Sequence, residues 1–297
     1  MAAETDTGSD TMTGNGERHE IVVCVDPART GPLATAWAAD EAHRRRLALR
    51  LVVVVEPAPD TRHAVDAARH RARTEAASEA LNRAAEGART RHPGLSVSAA
   101  VMEGVPAVVL TGLAQHAAMM VLGSRHLSRT EEFLSAGSLV LPVTAQARCP
   151  VVVVGDAEHS TQEPPYVVVG IDGSTASQAA LALACEEADL RDCLLRAVAV
   201  RQPPLFSLRQ EGAGLDGERR LLAEATAGWA EKYPDLRITH EVLVGSPVER
   251  LAEAAEHALA VVVGRRGSGG YTGMRVGSVV HGLLHRAHCP VITVPAE

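Results

Sequence analysis

The sequence predicts an α/β protein: two tandem, doubly wound, five-stranded parallel sheets of strand order 3-2-1-4-5, each with helices on both faces. Three observations carry that expectation. Hydrophobic residues fill 46% of the 297 positions and aromatics only 2%, so the cores are built from Val, Leu, Ile and Ala, a composition suited to buried parallel strands under Ala-rich helices. Short Val-rich runs alternate with longer helical patterns, as strand-helix-strand units require. The pattern also occurs twice: Ile21 to Asp26 reads IVVCVD, and Val167 to Asp172, 146 positions on, reads VVVGID.

The same shift superposes Glu41 on Glu187 and residues 51–55 on 197–201. Further along it becomes 141, aligning Gly104 and Pro106 with Gly245 and Pro247, His116 with His257, and Gly123 with Gly264. A final shift of 140 pairs Gly137 and Ser138 with Gly277 and Ser278, and the Cys-Pro-Val at 149–151 with that at 289–291. Periods this long mark domain duplication rather than a solenoid, and the length suits two domains. The expected organisation is a Thr/Asp/Gly/Ser-rich tail over 1–18 that is too poor in apolar residues to fold, a first domain over 19–155, a polar linker over 156–165 ending in proline, and a second domain over 166–297.

Five strands are expected in each domain. The first-copy strands are near 20–25, 49–55, 95–102, 118–122 and 150–154; those of the second are near 166–171, 194–200, 236–243, 260–263 and 290–294. Ser174 is positioned to cap the first helix of the second copy. Ser246, Pro247 and Glu249 read as a capping box with proline at the first helical position. Arg69, His70, Arg71 and Arg73, interspersed with Asp66, Glu75 and Glu79, read as a solvated helix surface.

Several function classes are excluded. A net charge of −7 argues against nucleic acid or anionic lipid as partner. No apolar run approaches the roughly 20 residues of a membrane span, and residues 1–18 lack the apolar centre of a signal peptide, so a cytoplasmic protein is expected. The five cysteines, Cys24, Cys149, Cys185, Cys193 and Cys289, form no C-x-x-C pair and read as small buried residues. The only lysine, Lys232, follows no Gly-rich turn, which removes a P-loop. No G-x-S-x-G elbow supports serine hydrolysis. His281, His285 and His288 lack a completing Cys, Asp or Glu on their helix and read as a solvated face rather than a metal site.

One segment asks for a chemical explanation. Six of the fourteen residues from Gly264 to Gly277 are glycine, where average usage gives about one. Glycine permits positive φ and close backbone approach to a ligand. Val279, Val280, Leu283 and Leu284 then recur at helical spacing, so a helix begins at Gly277 and Ser278 and offers its free amides to an anion. These are the parts of a phosphate cradle, to which Arg265 or Arg266 could add a phosphate contact. Asp172 ends the first strand of the same copy. In a 3-2-1-4-5 sheet the first and fourth strands are neighbours with crossovers on opposite faces, and the crevice between them binds ligands. Asp172 and Gly264 should converge there, setting a carboxylate for ribose hydroxyls or a divalent cation beside the glycine loop.

At these residues the chain resembles the universal stress protein family, in particular its tandem two-domain members. Gly264, Gly267, Gly277 and Ser278 meet the G-x2-G-x9-G-S/T motif of the family's ATP-binding branch, with Asp-Gly-Ser at 172–174 and a Cys-Pro-Val final strand, over about residues 20–295. The resemblance implies an ATP site lined by Asp172, Gly264, Gly267, Gly277, Ser278 and Val279, with Val200 near adenine. The adjoining strand ends Gly170, Ile171 and Val263, together with Arg265, complete the expected set, and Asp172 could meet Mg carried with ATP. The resemblance also implies self-association or a homodimer through the final strands.

The first copy departs from the pattern. Asp26 and Gly123 remain, but Pro27 replaces the glycine after the aspartate. His126 stands where the second glycine belongs, the loop to Gly137 and Ser138 is one residue longer, and Glu131 and Glu132 lie within it. A degenerate nucleotide site is expected there. The function expected is that of an ATP-binding stress-response regulator, at most a weak ATPase, acting on an unidentified protein partner. The alternatives are a nucleotide-independent dimeric scaffold, in which the paired final strands Cys149 to Val154 and Cys289 to Val294 assemble the halves as the resemblance implies, and an adenylating enzyme on the same fold. Efficient phosphoryl transfer needs a positioned base and added positive charge, and no motif supplies both.

Overall fold

A computed structural model of the chain describes residues 19–28, 33–58, 64–124, 139–155, 159–202, 215–268 and 275–296. The first half contains strands β1 (Glu20–Cys24), β2 (Ala48–Val55), β3 (Val97–Glu103), β4 (Met119–Ser124) and β5 (Val151–Gly155). Its helices are α1 (Leu33–Arg45), α2 (Ala64–Arg91), α3 (Pro106–Leu113) and α4 (Val140–Gln146). The second half repeats the strands as β6 (Tyr166–Gly170), β7 (Leu194–Arg201), β8 (Ile238–Val244), β9 (Ala260–Gly264) and β10 (Val291–Val294). Its helices are α5 (Thr175–Leu190), α6 (Asp216–Thr226), α7 (Trp229–Lys232), α8 (Pro247–Ala254) and α9 (Ser278–Arg286). The tail over 1–18 lies outside the described residues.

The strands form one ten-stranded sheet, in the order β3-β2-β1-β4-β5-β10-β9-β6-β7-β8. Every pairing within a half is parallel. The halves meet where β10 pairs antiparallel with β5, Ile292 opposite Val152 and Thr293 opposite Val151. Thr293 adds a side-chain bond there, its hydroxyl donating to the Val151 carbonyl at 3.1 Å. The paired final strands thus assemble the two halves of one chain, as the resemblance implied for the scaffold, rather than joining one chain to another. Each final strand already has a neighbour on both sides, so its backbone donors and acceptors are used within the chain, and any homodimer must use another surface.

Parallel strands covered on both faces can be apolar at every position, which is why runs such as Val151–Val154 and Val167–Val169 are buried throughout. One face carries a single core running through both halves, with Ile21, Leu51 and Val152 continuous with Val167, Leu195 and Ile292 under α1, α2 and α5. The other face carries two cores, one around Leu110, Met120 and Val143 and one around Leu251, Val263 and Leu283. Leu284 of α9 reaches across to pack on the first of these.

The repeat's superposition of Glu41 on Glu187 has a structural counterpart at the junction. Arg45, four residues after Glu41, donates to Glu41 and Glu187, and to Glu186 at 2.7 Å. Arg191, four residues after Glu187, donates to Glu187 and to Glu41 at 2.6 Å. Glu41 and Glu187 are 0% and 1% exposed, so α1 and α5 clasp through a buried, reciprocal ion cluster. Arg191 also lies over the Trp37 ring, 5.8 Å from its centroid.

Local signals meet mixed outcomes. Ser174 caps α5, its hydroxyl accepting from the Ser177 amide at 3.1 Å. Ser246 precedes α8 with Pro247 in the first turn, but its side chain makes no capping bond, so the capping-box reading is corrected to a proline-initiated helix. Arg69, Arg71 and Arg73 are exposed, whereas His70 meets Glu103 of β3 at 2.8 Å. The cysteines form no disulfide among the described residues, and four of them are buried and Cys24 half-buried. Linker residues from 159 sit on the second half, with the Gln162 amide donating to the His257 carbonyl at 3.1 Å. Among the described residues no helix is long and apolar enough to cross a membrane.

Candidate functional site

Strands β6 and β9 lie side by side, with Val169 opposite Val262. Beyond β6 the chain continues into α5 on the shared-core face, whereas α9, which follows β9, lies on the other face. The carboxyl ends of the two strands therefore frame a crevice, with Gly170, Ile171 and Asp172 on one side and Val263 and Gly264 on the other. Gly170 is held small by its surroundings, since a Cβ there would lie 3.1 Å from Leu251 and 3.2 Å from Val263.

Asp172 is the centre of the arrangement. Its Oδ1 accepts from the Ser174 amide at 3.0 Å and the Ser174 hydroxyl at 2.6 Å. Its Oδ2 accepts from the Ser268 amide at 2.7 Å. Partial burial alone would raise its pKa. The Ser174 hydroxyl and the amides of Ser268 and Ser174 outweigh that, so the carboxyl is held below its usual range and is ionised at neutral pH. The turn after it needs Gly173, whose φ is +80°, a conformation that costs a side-chain-bearing residue but not glycine.

The described glycines of the loop earn their places by lack of volume, since none of Gly264, Gly267 and Gly277 has the positive φ that the sequence allowed. A Cβ on Gly264 would fall 2.7 Å from the backbone of Ala176 in the first turn of α5. On Gly267 it would overlap the Asp172 carboxylate. Gly277 is the N-cap of α9, and its own amide donates to the Arg265 carbonyl at 2.9 Å. Ser278 opens the helix exposed to solvent, and the first-turn amides of α9 have no acceptor within the helix. Val279 and Val200 both pack at the margin of the core that contains Val263. Gly269, Gly270 and Gly273 lie outside the described residues.

Both arginines of the loop have carbonyl partners. Arg266 donates to the Arg275 carbonyl at 3.2 Å. Arg265 reaches the first half, donating to the Ala147 carbonyl at 2.6 Å and to that of Thr144 at 3.4 Å. In this arrangement each guanidinium serves backbone oxygens.

In the first half, Asp26 keeps the same local turn, its Oδ1 accepting from the Ala28 amide at 3.0 Å. Pro27 cannot reproduce the Gly173 conformation, because its ring fixes φ near −65°. Cys24 stands where the second half has Gly170, and Gly123 lies in β4 opposite Val154. Gly137 and Ser138 lie outside the described residues, as do His126, Glu131 and Glu132.

The second-half site can therefore offer an ionised carboxylate, a turn of amides and a helix N-terminus, which suits a ligand with hydroxyls at one end and negative charge at the other. Sequence reasoning missed the parts that backbone atoms carry, chiefly the Ser268 amide on Asp172, and it missed the reach of Arg265. Side-chain identity gives no signal for a main-chain donor.

The universal stress protein family matches this chain twice, over residues 17–155 and 166–295. A universal stress protein of Mycobacterium tuberculosis is 34% identical over 300 residues, covering 95% of this chain and 98% of its own. A second from the same species is 33% identical over 302 residues with the same coverage. Among solved structures, a universal stress protein from Archaeoglobus fulgidus superposes with a TM-score of 0.71 at 17% identity, covering 93% of this chain and 96% of its own, a likeness of fold. The repeat, the sheet and these two full-length relatives agree, and the chain belongs to the universal stress protein family, with two of its domains in tandem.

Proposed function

We propose that the protein is an ATP-binding stress-response regulator whose nucleotide is held in the second half. One observation carries the reading: the Ser268 amide closes on Asp172 at 2.7 Å, with Gly267 packed so tightly beside the carboxylate that no side chain fits. The loop, the strand end and the amino end of α9 thus share one small region. In this reading Asp172 takes ribose hydroxyls or a Mg ion accompanying the nucleotide. The backbone around Gly267, Gly277, Ser278 and Val279 takes the phosphates, and Val200 and Val263 supply apolar surface for the base. Gly170, Gly264 and Ile171 shape the walls. Bound Mg would neutralise phosphate charge.

No base is positioned to activate water among the residues assigned to the site, so hydrolysis is expected to be slow. The role assigned to ATP is to order the loop and change the surface offered to a protein partner. The first half, with Pro27 after Asp26, is expected to bind nucleotide weakly. A second reading, a scaffold indifferent to nucleotide, draws support from the β5–β10 pairing and the buried ion cluster, which join the halves without a ligand. Calorimetric titration with Mg-ATP separates the two. The regulator binds about one ATP per chain, and the Asp172→Ala variant loses it; the scaffold shows no heat with either protein.

A further inference from the structure

The antiparallel junction sets the strands of the two halves running in opposite directions. The carboxyl ends of β6 and β9, where the candidate site lies, are therefore at the same end of the sheet as the amino end of β5. The register makes this concrete: Gly264 pairs with Val294, and Thr293, the residue before it, pairs with Val151 at the start of β5. Residues 144–147, at the end of α4, lie just upstream of that start. The glycine loop of one half thus faces the carboxyl end of a helix belonging to the other.

Arg265 occupies this contact and is tied at three points. Its amide donates to the Val294 carbonyl at 2.7 Å, and its carbonyl accepts from the amide of Gly277, the N-cap of α9, at 2.9 Å. Its guanidinium donates to the Ala147 carbonyl at 2.6 Å and the Thr144 carbonyl at 3.4 Å. The terminal carbonyls of a helix lack intrahelical donors and carry partial negative charge, so a cation there is favoured. The same residue thus holds the N-cap amide of α9 through its main chain and the other half through its side chain. The shift of 141 that aligns Gly123 with Gly264 puts Ser124 at the corresponding place in the first half.

We propose that Arg265 is a positioning residue that braces the second half's nucleotide loop against α4 of the first half, making the first half a structural part of the second half's site. α4 follows the first half's own Gly137 and Ser138, so a ligand or partner that shifts α4 would be felt at the glycine loop through this side chain. The inference rests on the ATP-binding reading for its functional consequence, but the brace itself can be tested without nucleotide.

The test uses the full-length chain, its Arg265→Ala variant and its Arg265→Lys variant. Hydrogen exchange is read on the ligand-free proteins and Mg-ATP binding by calorimetry. Alanine should speed exchange of the amides of residues 265–268 and 277 before any ligand is added, and should weaken ATP about tenfold, the scale of a lost hydrogen bond from a charged group. Lysine, whose ammonium can donate to the same carbonyls, should recover most of both. Unchanged exchange in the alanine variant overturns the brace, and if affinity falls all the same, Arg265 is a direct phosphate ligand instead. Faster exchange with wild-type affinity overturns the functional half of the proposal. A wild-type chain that does not bind ATP sinks the ATP-binding reading, while the exchange result still decides the brace.

Discussion

Gly264 and Gly267 look alike in the sequence, yet the structure gives their missing side chains different work. An added methyl at 264 would press on the backbone of α5 at 2.7 Å, and backbone in a helix first turn cannot easily give way. Gly264→Ala should therefore cost stability, about 1–3 kcal/mol as for other overpacked sites, measurable as a lower denaturant midpoint. At 267 the methyl would meet the Asp172 carboxylate instead, which breaks the Ser268 bond and moves the loop. Gly267→Ala should leave the unfolding midpoint near that of wild type and weaken ATP at least about tenfold, read by titration. Equal effects of the two variants on binding and stability would contradict this division. The motif spacing made both glycines and Asp172 legible as a set. It could not say which glycine serves packing and which serves the site, because that depends on the neighbour each one meets.

Helices α1 and α5 show how far an internal repeat can be read. Superposing Glu41 on Glu187 was possible from spacing alone, but that the two carboxylates share two arginines across the junction depends on β5 and β10 pairing, which no local pattern encodes. Removing one cation should be severe. Arg191→Met leaves Glu41 and Glu187 buried with a single shared guanidinium, and losing one partner of a buried pair typically costs about 3–5 kcal/mol, observable in chemical unfolding. The cluster also gives the stability a pH dependence. Burial is the main influence that pushes the Glu187 carboxyl up, to about 7 from 4.5, with the Glu41 charge adding to it against the pull of Arg191 and Arg45. Between those values the folded chain holds a proton that the unfolded chain has released, so this group's contribution falls as pH rises through the window. Glu41 is held below its usual range, Arg191 and Arg45 together outweighing its burial, and its contribution is lost only in acid. Subtracting Glu187→Gln from wild type in unfolding experiments at pH 5 and pH 8 should show wild type losing relative stability at the higher pH. A difference of opposite sign would show that Glu187 ionises readily in the folded state.

The continuous core under α1, α2 and α5 makes the two halves one mechanical object, although their sequences read as two domains. Strand runs and the duplication were legible because Val-rich buried strands declare themselves. The joining of the halves through the final strands was carried by the family resemblance alone, since by pattern the same strands could have paired between chains. With one core crossing the junction, thermal unfolding should be a single transition, raised by Mg-ATP through linkage, and two separate transitions would show that the junction is weak. In the proposed function the second half's strand ends and glycine loop hold one nucleotide. The most direct check is mass analysis of what the freshly purified full-length protein releases on denaturation, with added ATP titrated into the emptied protein and into Asp172→Ala. About one ATP per chain is expected for wild type and none for the variant. A wild-type protein that carries no nucleotide and ignores added ATP, or a variant that binds it equally well, would contradict that reading.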